Sequence, residues 1–468
     1  MFEKTADRLG IGRVTIDNLP DDVLLEIFSF CLAEGRAKTW HNLVHICTRW
    51  RCIVFASPRR LDLRIRCTAG IRANLKEMLD IWPILPIEIG ASGNALEQSQ
   101  GEGADVIVAA LGHNNRVCQI SLAYLPSSLW DRIAAVTQEP FPALTDLSIF
   151  VTDETATVFP EGFLGGSGPG LRSCVLYGIA IPKIWGLLLS AIHLTELRLW
   201  DIPHLGYISP EVMITALSAM PNLKRFALGF RNSPSRLDRE RLRSPPPTRI
   251  VLPALIRFSF QGISEYVEDL LSRIDVTLLH DGSITLYNQL IFDTPLLHEF
   301  FSRTEFFKAY NRATVLFYGS TIYFKLGSQF SLRILCTTLD WQLSSMAQVC
   351  TSSLPPFSTL ERLDIQVREG FSSPNWYQDL EDVQWLELFR PFTALKDLYL
   401  VGNLATLVAP ALQELAGEGG TEVLPVLQNL FIEELEQSRP TQEAIAQFVT
   451  ARELSDHPIA VHNWDGLS

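Results

Sequence analysis

The chain has 468 residues, 47% apolar and 19% charged, and its 39 lysines and arginines against 52 aspartates and glutamates leave a net charge of −13. That composition is too apolar for a disordered chain, and its length suits about three ordinary domains, or fewer if one is an elongated repeat. The acidic balance argues against nucleic acid as a partner. The longest apolar stretch, near residues 184–192, is about half of the ~20 residues that a membrane-spanning helix needs, so no membrane partner is expected.

Residues 1–15 read as an N-terminal tail, and the first ten, MFEKTADRLG, have no apolar segment of the kind a secretory signal carries. The eight cysteines (Cys31, Cys47, Cys52, Cys67, Cys118, Cys174, Cys336 and Cys350) are scattered and form no C-x-x-C pair. Reduced, buried thiols and a cytoplasmic and/or nuclear location are the expectation.

Residues 16–31 read IDNLPDDVLLEIFSFC. Pro20 suits a first helical turn, and Asp21 and Asp22 sit where the helix dipole favours negative charge. Val23, Leu24, Ile27, Phe28 and Cys31 follow at helical spacing. After a polar break a second helix is predicted over residues 41–57, HNLVHICTRWRCIVFAS, with a stripe of Leu43, Ile46, Cys47, Trp50 and Val54 broadened by Val44 and Ile53. So few residues cannot hide so many large apolar side chains in a core of their own. The surplus either packs on the rest of the chain or serves a partner.

Leu19-Pro20, the Val23/Leu24 to Ile27-Phe28 spacing, and Leu43-Val44…Cys47…Arg49-Trp50-Arg51 resemble an F-box, taken here as residues 16–60. The resemblance implies docking on the Skp-type adaptor of a Skp–cullin–F-box ubiquitin ligase and, through it, association with a cullin. Carried over residue by residue, the adaptor-binding set is Leu19, Pro20, Val23, Leu24, Ile27, Phe28, Leu43, Val44, Cys47 and Trp50. The sequence beyond the box is similar in style to fungal F-box proteins with a leucine-rich-repeat-like C-terminal region.

Along residues 61–468 a phrase, apolar-x-x-apolar-x-apolar, occurs ten times, beginning at Ile84, Val117, Leu144, Leu171, Leu194, Leu223, Leu255, Leu360, Leu395 and Leu427. Its last positions alternate as a strand does. Helical patterns precede several copies: SSLWDRIAAVTQ, PEVMITALSAM, SEYVEDLLSRI and EDVQWLELF. One strand and one helix per unit is the leucine-rich-repeat plan. The first seven copies lie 23 to 33 residues apart, and only degraded copies such as Leu332/Leu335 fill the stretch between Leu255 and Leu360. The expected fold class is therefore α/β: a short all-helical F-box, then an irregular leucine-rich-repeat-like α/β solenoid with a parallel sheet. A compact α/β domain is the alternative. Residues 231–249, rich in arginine and proline with Ser244 before Pro245, read as a flexible insertion.

Catalytic signatures are absent. GGSGPG at residues 165–170 lacks the lysine of a phosphate-binding loop and precedes a strand pattern; His41 and His45 lack the glutamate of a zinc-protease helix; no G-x-S-x-G occurs. The chain is therefore expected to be no enzyme, with no cofactor and no metal. It reads as the substrate-recognition subunit of the ligase, and alternatively as a non-catalytic repeat scaffold using the box outside a ligase. On the repeat strands the residues between apolar positions point outward. Of these Arg198, Arg225 and Arg362 are the candidates for binding a target protein by charge.

Overall fold

The computed structural model describes residues 16–33, 39–68, 84–94, 102–125, 127–151, 157–180, 183–231, 249–287, 295–308, 310–335, 339–352, 359–368, 382–401, 404–415, 423–433 and 439–464. The tail 1–15 and nearly all of the expected insertion, with Ser244, lie outside the described residues. The chain forms two compact units, Met1–Leu144 and Thr145–Ser468.

The first unit opens with helices α1 (Asp21–Ala33), α2 (Thr39–Ile46) and α3 (Thr48–Ala56). The single helix predicted over residues 41–57 is broken at Cys47. That residue is extended (φ −156°, ψ 167°), and its Sγ accepts the Trp50 backbone N–H at 3.5 Å, so it caps a new helix instead of continuing the old one. Leu24 and Phe28 of α1, Leu43 and Val44 of α2, and Trp50, Ile53 and Val54 of α3 are all buried. The Phe28 and Trp50 rings lie 4.7 Å apart.

The strands β1 (Ile65–Thr68), β2 (Ile87–Ser92) and β3 (Val117–Ala123) form a parallel sheet in that order. Their inward residues (Ile65, Cys67, Ile87, Ile89, Ile120 and Leu122 among them) are buried. Helix α4 (Glu102–Leu111) packs on β1 and β2, and α5 (Ser127–Val136) packs on α4. The three N-terminal helices share one compact unit with these strands and helices. Two contacts tie the pieces together: Trp40 Nε1 donates to the Arg64 carbonyl at 3.2 Å, and Arg60 pairs with Glu26.

In the second unit the strands β4 (Asp146–Phe150), β5 (Ser173–Tyr177), β6 (Glu196–Ile202), β7 (Arg225–Phe230), β8 (Arg257–Gly262) and β9 (Asp281–Tyr287) lie side by side in chain order, all parallel. Then the order inverts. β10 (Arg312–Tyr318), β11 (Thr321–Leu326) and β12 (Phe330–Leu335) form a tight meander whose last strand, β12, joins β9. Gly319 and Gly327 take its two turns at φ +54° and +57°, which side chains bearing a Cβ resist. The sheet then continues in parallel through β13 (Arg362–Arg368), β14 (Asp397–Val401), β15 (Asn429–Ile432) and β16 (Ala460–Asn463). Among the described residues β11 is the single reversed strand of this sheet.

Helices α6 (Trp185–Ser190), α7 (Pro210–Ser218), α8 (Ser264–Ser272) and α9 (Pro295–Arg303) pack on one another in sequence. So do α11 (Leu339–Ser352), α12 (Asp382–Phe389), α13 (Leu404–Glu414) and α14 (Arg439–Leu454), with a short α10 (Glu305–Lys308) between the two runs. The four helical patterns read from the sequence all form.

Nearly every apolar position of the recurring phrase is buried. Ile84 is the exception at 86% exposed, its neighbour Leu85 turning inward instead. The unit between Leu255 and Leu360 departs from the pattern because Gly282 stands at an inward position of β9, where a Cβ would meet the Phe330 ring at 2.9 Å.

Candidate interaction surfaces

Helix α1 is apolar on two faces. One carries Leu24, Leu25 and Phe28, buried against α2 and α3. The other carries Val23, Ile27 and Phe30, with Pro20 before it and Cys31 after. Val23 is 42% exposed, Phe30 76%, Pro20 and Cys31 are exposed, and Ile27 is half-buried. Spacings of three and four residues put these on one stripe. The α2–α3 junction adds Ile46 and Cys47, both exposed. Arg49 holds that junction beside the start of α1, donating to the Leu19 carbonyl and to Asp21 Oδ1, each at 2.6 Å.

Of the ten residues singled out for adaptor binding, Leu24, Phe28, Leu43, Val44 and Trp50 are taken up by the unit's own core. Leu19 and Ile27 are half-buried, while Pro20, Val23 and Cys47 are open. Ile16, Phe30 and Ile46 belong with this open group and are absent from the set carried over by resemblance. Phe30, next to Cys31, falls outside the stripe drawn on the first helix, whereas Ile46 is on the second stripe and only the adaptor-binding set leaves it out. The expectation of buried thiols holds for Cys67, Cys174 and Cys350, whereas Cys31, Cys47 and Cys52 are exposed; Cys336 lies outside the described residues. Cys118 is half-buried and donates to the Ile87 carbonyl at 3.3 Å. Burial pushes the Cys67 and Cys174 thiols up to about 12.

The second surface is the outward face of the sheet in the second unit. Register puts Ser173, Glu196, Arg225, Arg257 and Asp281 in one row across β5 to β9. Two residues along lies the row Val175, Arg198, Ala227 and Ser259. A further two residues along come Phe150, Tyr177 and Trp200, then Gly229. The Trp200 ring lies over Gly229, where a Cβ would meet it at 3.0 Å. Glu196, nearly buried, accepts from Arg225 at 2.6 Å and pairs with Arg198 at 2.6 Å. The hydrogen bond from Arg225, with Arg198 alongside, holds its carboxyl below the usual range. Arg257 pairs with Asp281 at 3.5 Å.

Tracing the registers through the meander shows that Arg198, Arg225 and Arg362 all face outward on this one sheet. Arg198 and Arg225 are adjacent and share Glu196. Arg362 stands six strand spacings from Arg225, about 29 Å along the sheet. There it pairs with buried Asp364 at 2.9 Å and lies 3.7 Å over the Tyr399 ring, which stacks on Phe431 at 4.1 Å. The face is therefore more aromatic than its three arginines suggest. The signal is present in the sequence: an aromatic follows the last apolar residue in three successive phrases, at Phe150 after Ile149, Tyr177 after Leu176 and Trp200 after Leu199.

Among the described residues no group of three or more histidine, cysteine, aspartate or glutamate side chains is placed to hold a metal ion, and no helix is long and apolar enough to cross a membrane. Residues 165–170 run from the end of a short 3-10 helix (Phe163–Gly166) through a turn that leads into β5. No protein-family model matches the chain, and no curated protein matches it.

Proposed function

We propose that this chain is the substrate-recognition subunit of a Skp–cullin–F-box ubiquitin ligase. Its N-terminal helices, which resemble an F-box, dock on the Skp-type adaptor. Its second unit, a leucine-rich-repeat-like irregular solenoid, offers the outward sheet face to a target protein. The chain contributes position, raising the effective concentration of the target near the enzyme that transfers ubiquitin.

One observation carries the reading: α1 has a second apolar stripe, with Phe30 76% exposed, that its own core leaves uncovered. A solvated helix gains nothing from such a stripe, and a partner groove does. The test is co-purification of the full chain with a Skp-type adaptor and a cullin, set against the Leu19→Ala/Pro20→Ala double variant. Capture of both by the native chain, lost in the variant, supports the reading. Adaptor without cullin favours a scaffold outside any ligase, and no adaptor at all sinks the proposal.

A further inference from the structure

The rows of β4 to β9 line a trough of about 420 Å³ on the outward face. Small side chains, Val175, Ala227 and Ser259, make its floor. Phe150, Tyr177 and Trp200 form one wall, and Arg198, Arg225 and Arg257 the other. We propose that this trough binds an extended peptide carrying an acidic residue at one position and a large aromatic residue two positions on. The proposal rests on the target-receiving role of this face.

Charge selects the anion. Among the described residues the three guanidinium groups pair with two carboxylates, Glu196 behind the wall and Asp281 at its end, while Asp146 stands in the same row beyond Ser173. Glu196 holds two of the arginines in place in advance of binding, Arg198 through Nε and Arg225 through Nη2. A preorganised guanidinium fork suits a carboxylate held by two hydrogen bonds. The aromatic wall selects the ring: Phe150 and Tyr177 stack with centroids 5.9 Å apart, and Trp200 lies across β7 over Gly229.

Spacing sets the interval between the two groups. The aromatic row lies two residues beyond the floor row, about 6.6 Å along the strands, and Arg198 rises from the floor row itself, while Arg225 and Arg257, which line the same trough, rise from the row two residues farther back. In an extended peptide, side chains two positions apart share a face at the same spacing. A free small molecule fits less well. Small-molecule sites close over 70–90% of their ligand, whereas Arg198, Arg225 and Arg257 remain 48%, 43% and 62% exposed. An open trough suits a chain that enters and leaves it.

The test uses the full chain and a dye-labelled serine/glycine peptide with a central glutamate–serine–tryptophan, read by fluorescence anisotropy. Saturable, salt-weakened binding is expected. Replacing the peptide's glutamate by glutamine, or its tryptophan by alanine, should each weaken binding about tenfold, as should Arg257→Glu or Trp200→Ala in the protein. Absence of binding by the parent peptide, equal binding by the glutamine peptide, or unchanged binding by Arg257→Glu overturns the proposal. The peptide-side changes decide the matter even if Trp200→Ala fails to fold. Adaptor capture is measured on the same native and Arg257→Glu proteins. Capture without peptide binding defeats the trough alone, and peptide binding without capture defeats the ligase reading alone.

Discussion

Phe28 and Phe30 stand two residues apart on α1 and should behave as opposites. Phe28 is fully buried against Trp50, while Phe30 is 76% exposed. Removing a fully buried phenylalanine costs about 3–5 kcal/mol in lost transfer energy and cavity. Phe28→Ala also forfeits the ring pair with Trp50, itself worth about 0.5–1.5 kcal/mol, so its cost should lie toward the upper end. Phe28 lies in the core that all three helices share, so α1 to α3 should lose protection together. Phe30→Ala removes mostly solvent-facing surface and should change stability by less than about 0.5 kcal/mol. If the exposed stripe is an interface, it should nonetheless weaken adaptor capture by about 2 kcal/mol, roughly thirtyfold. Hydrogen exchange of residues 16–56 measures the first effect, and titration with adaptor measures the second. Equal destabilisation by the two variants would refute the two-faced description of α1. A Phe30→Ala protein that binds adaptor at full strength would refute the interface.

Gly282→Ala should destabilise the second unit by about 1–3 kcal/mol through overpacking against Phe330, and Phe330→Leu in the same chain should recover part of the loss in denaturant melts. Glu196 should give an acid limb to stability. Its carboxyl is held below the ordinary value of 4.5, so its contribution is complete above that pH and is lost as pH falls through the lowered folded value. Glu196→Gln should accordingly cost stability near neutral pH, with the deficit narrowing as the medium is acidified below the ordinary carboxylate range; a deficit that stays constant would contradict this. Brief alkylation of the native protein, then peptide mapping, should label Cys31, Cys47 and Cys52 and spare Cys67, Cys174 and Cys350.

The strands and helices were legible because two periodicities dominate local choice. Leu197/Leu199 or Leu398/Leu400 alternate, and Met213, Ala216 and Leu217 recur at helical spacing, all buried as their pattern demands. What the pattern could not show was where a residue's partner comes from. Gly282 carries no apolar side chain, so β9 has no phrase of its own, and Phe330 fills the space above it. Likewise, Leu24 and Val23 are equally apolar in sequence, and only the placement of α3 decides which is buried. The break at Cys47 depends on a thiol accepting one backbone hydrogen bond, a local competition that propensity alone does not settle. The outward rows needed the registers of successive strands, which no single segment encodes.

The meander of β10 to β12 also bears on the order of events during synthesis. From β4 to β9, each strand of this sheet pairs with the sheet strand made just before it, so the sheet can grow vectorially. β9 then has to wait: Ile284 pairs with Leu332, not with the next strand made. At about 5–20 residues per second the intervening chain takes several seconds to appear. For that interval β9 is an unsatisfied sheet edge, the kind of surface on which nascent chains aggregate or recruit chaperones. Ribosome-bound fragments whose emerged part stops before residue 330 should therefore be markedly more chaperone-dependent than fragments whose emerged part extends past residue 340.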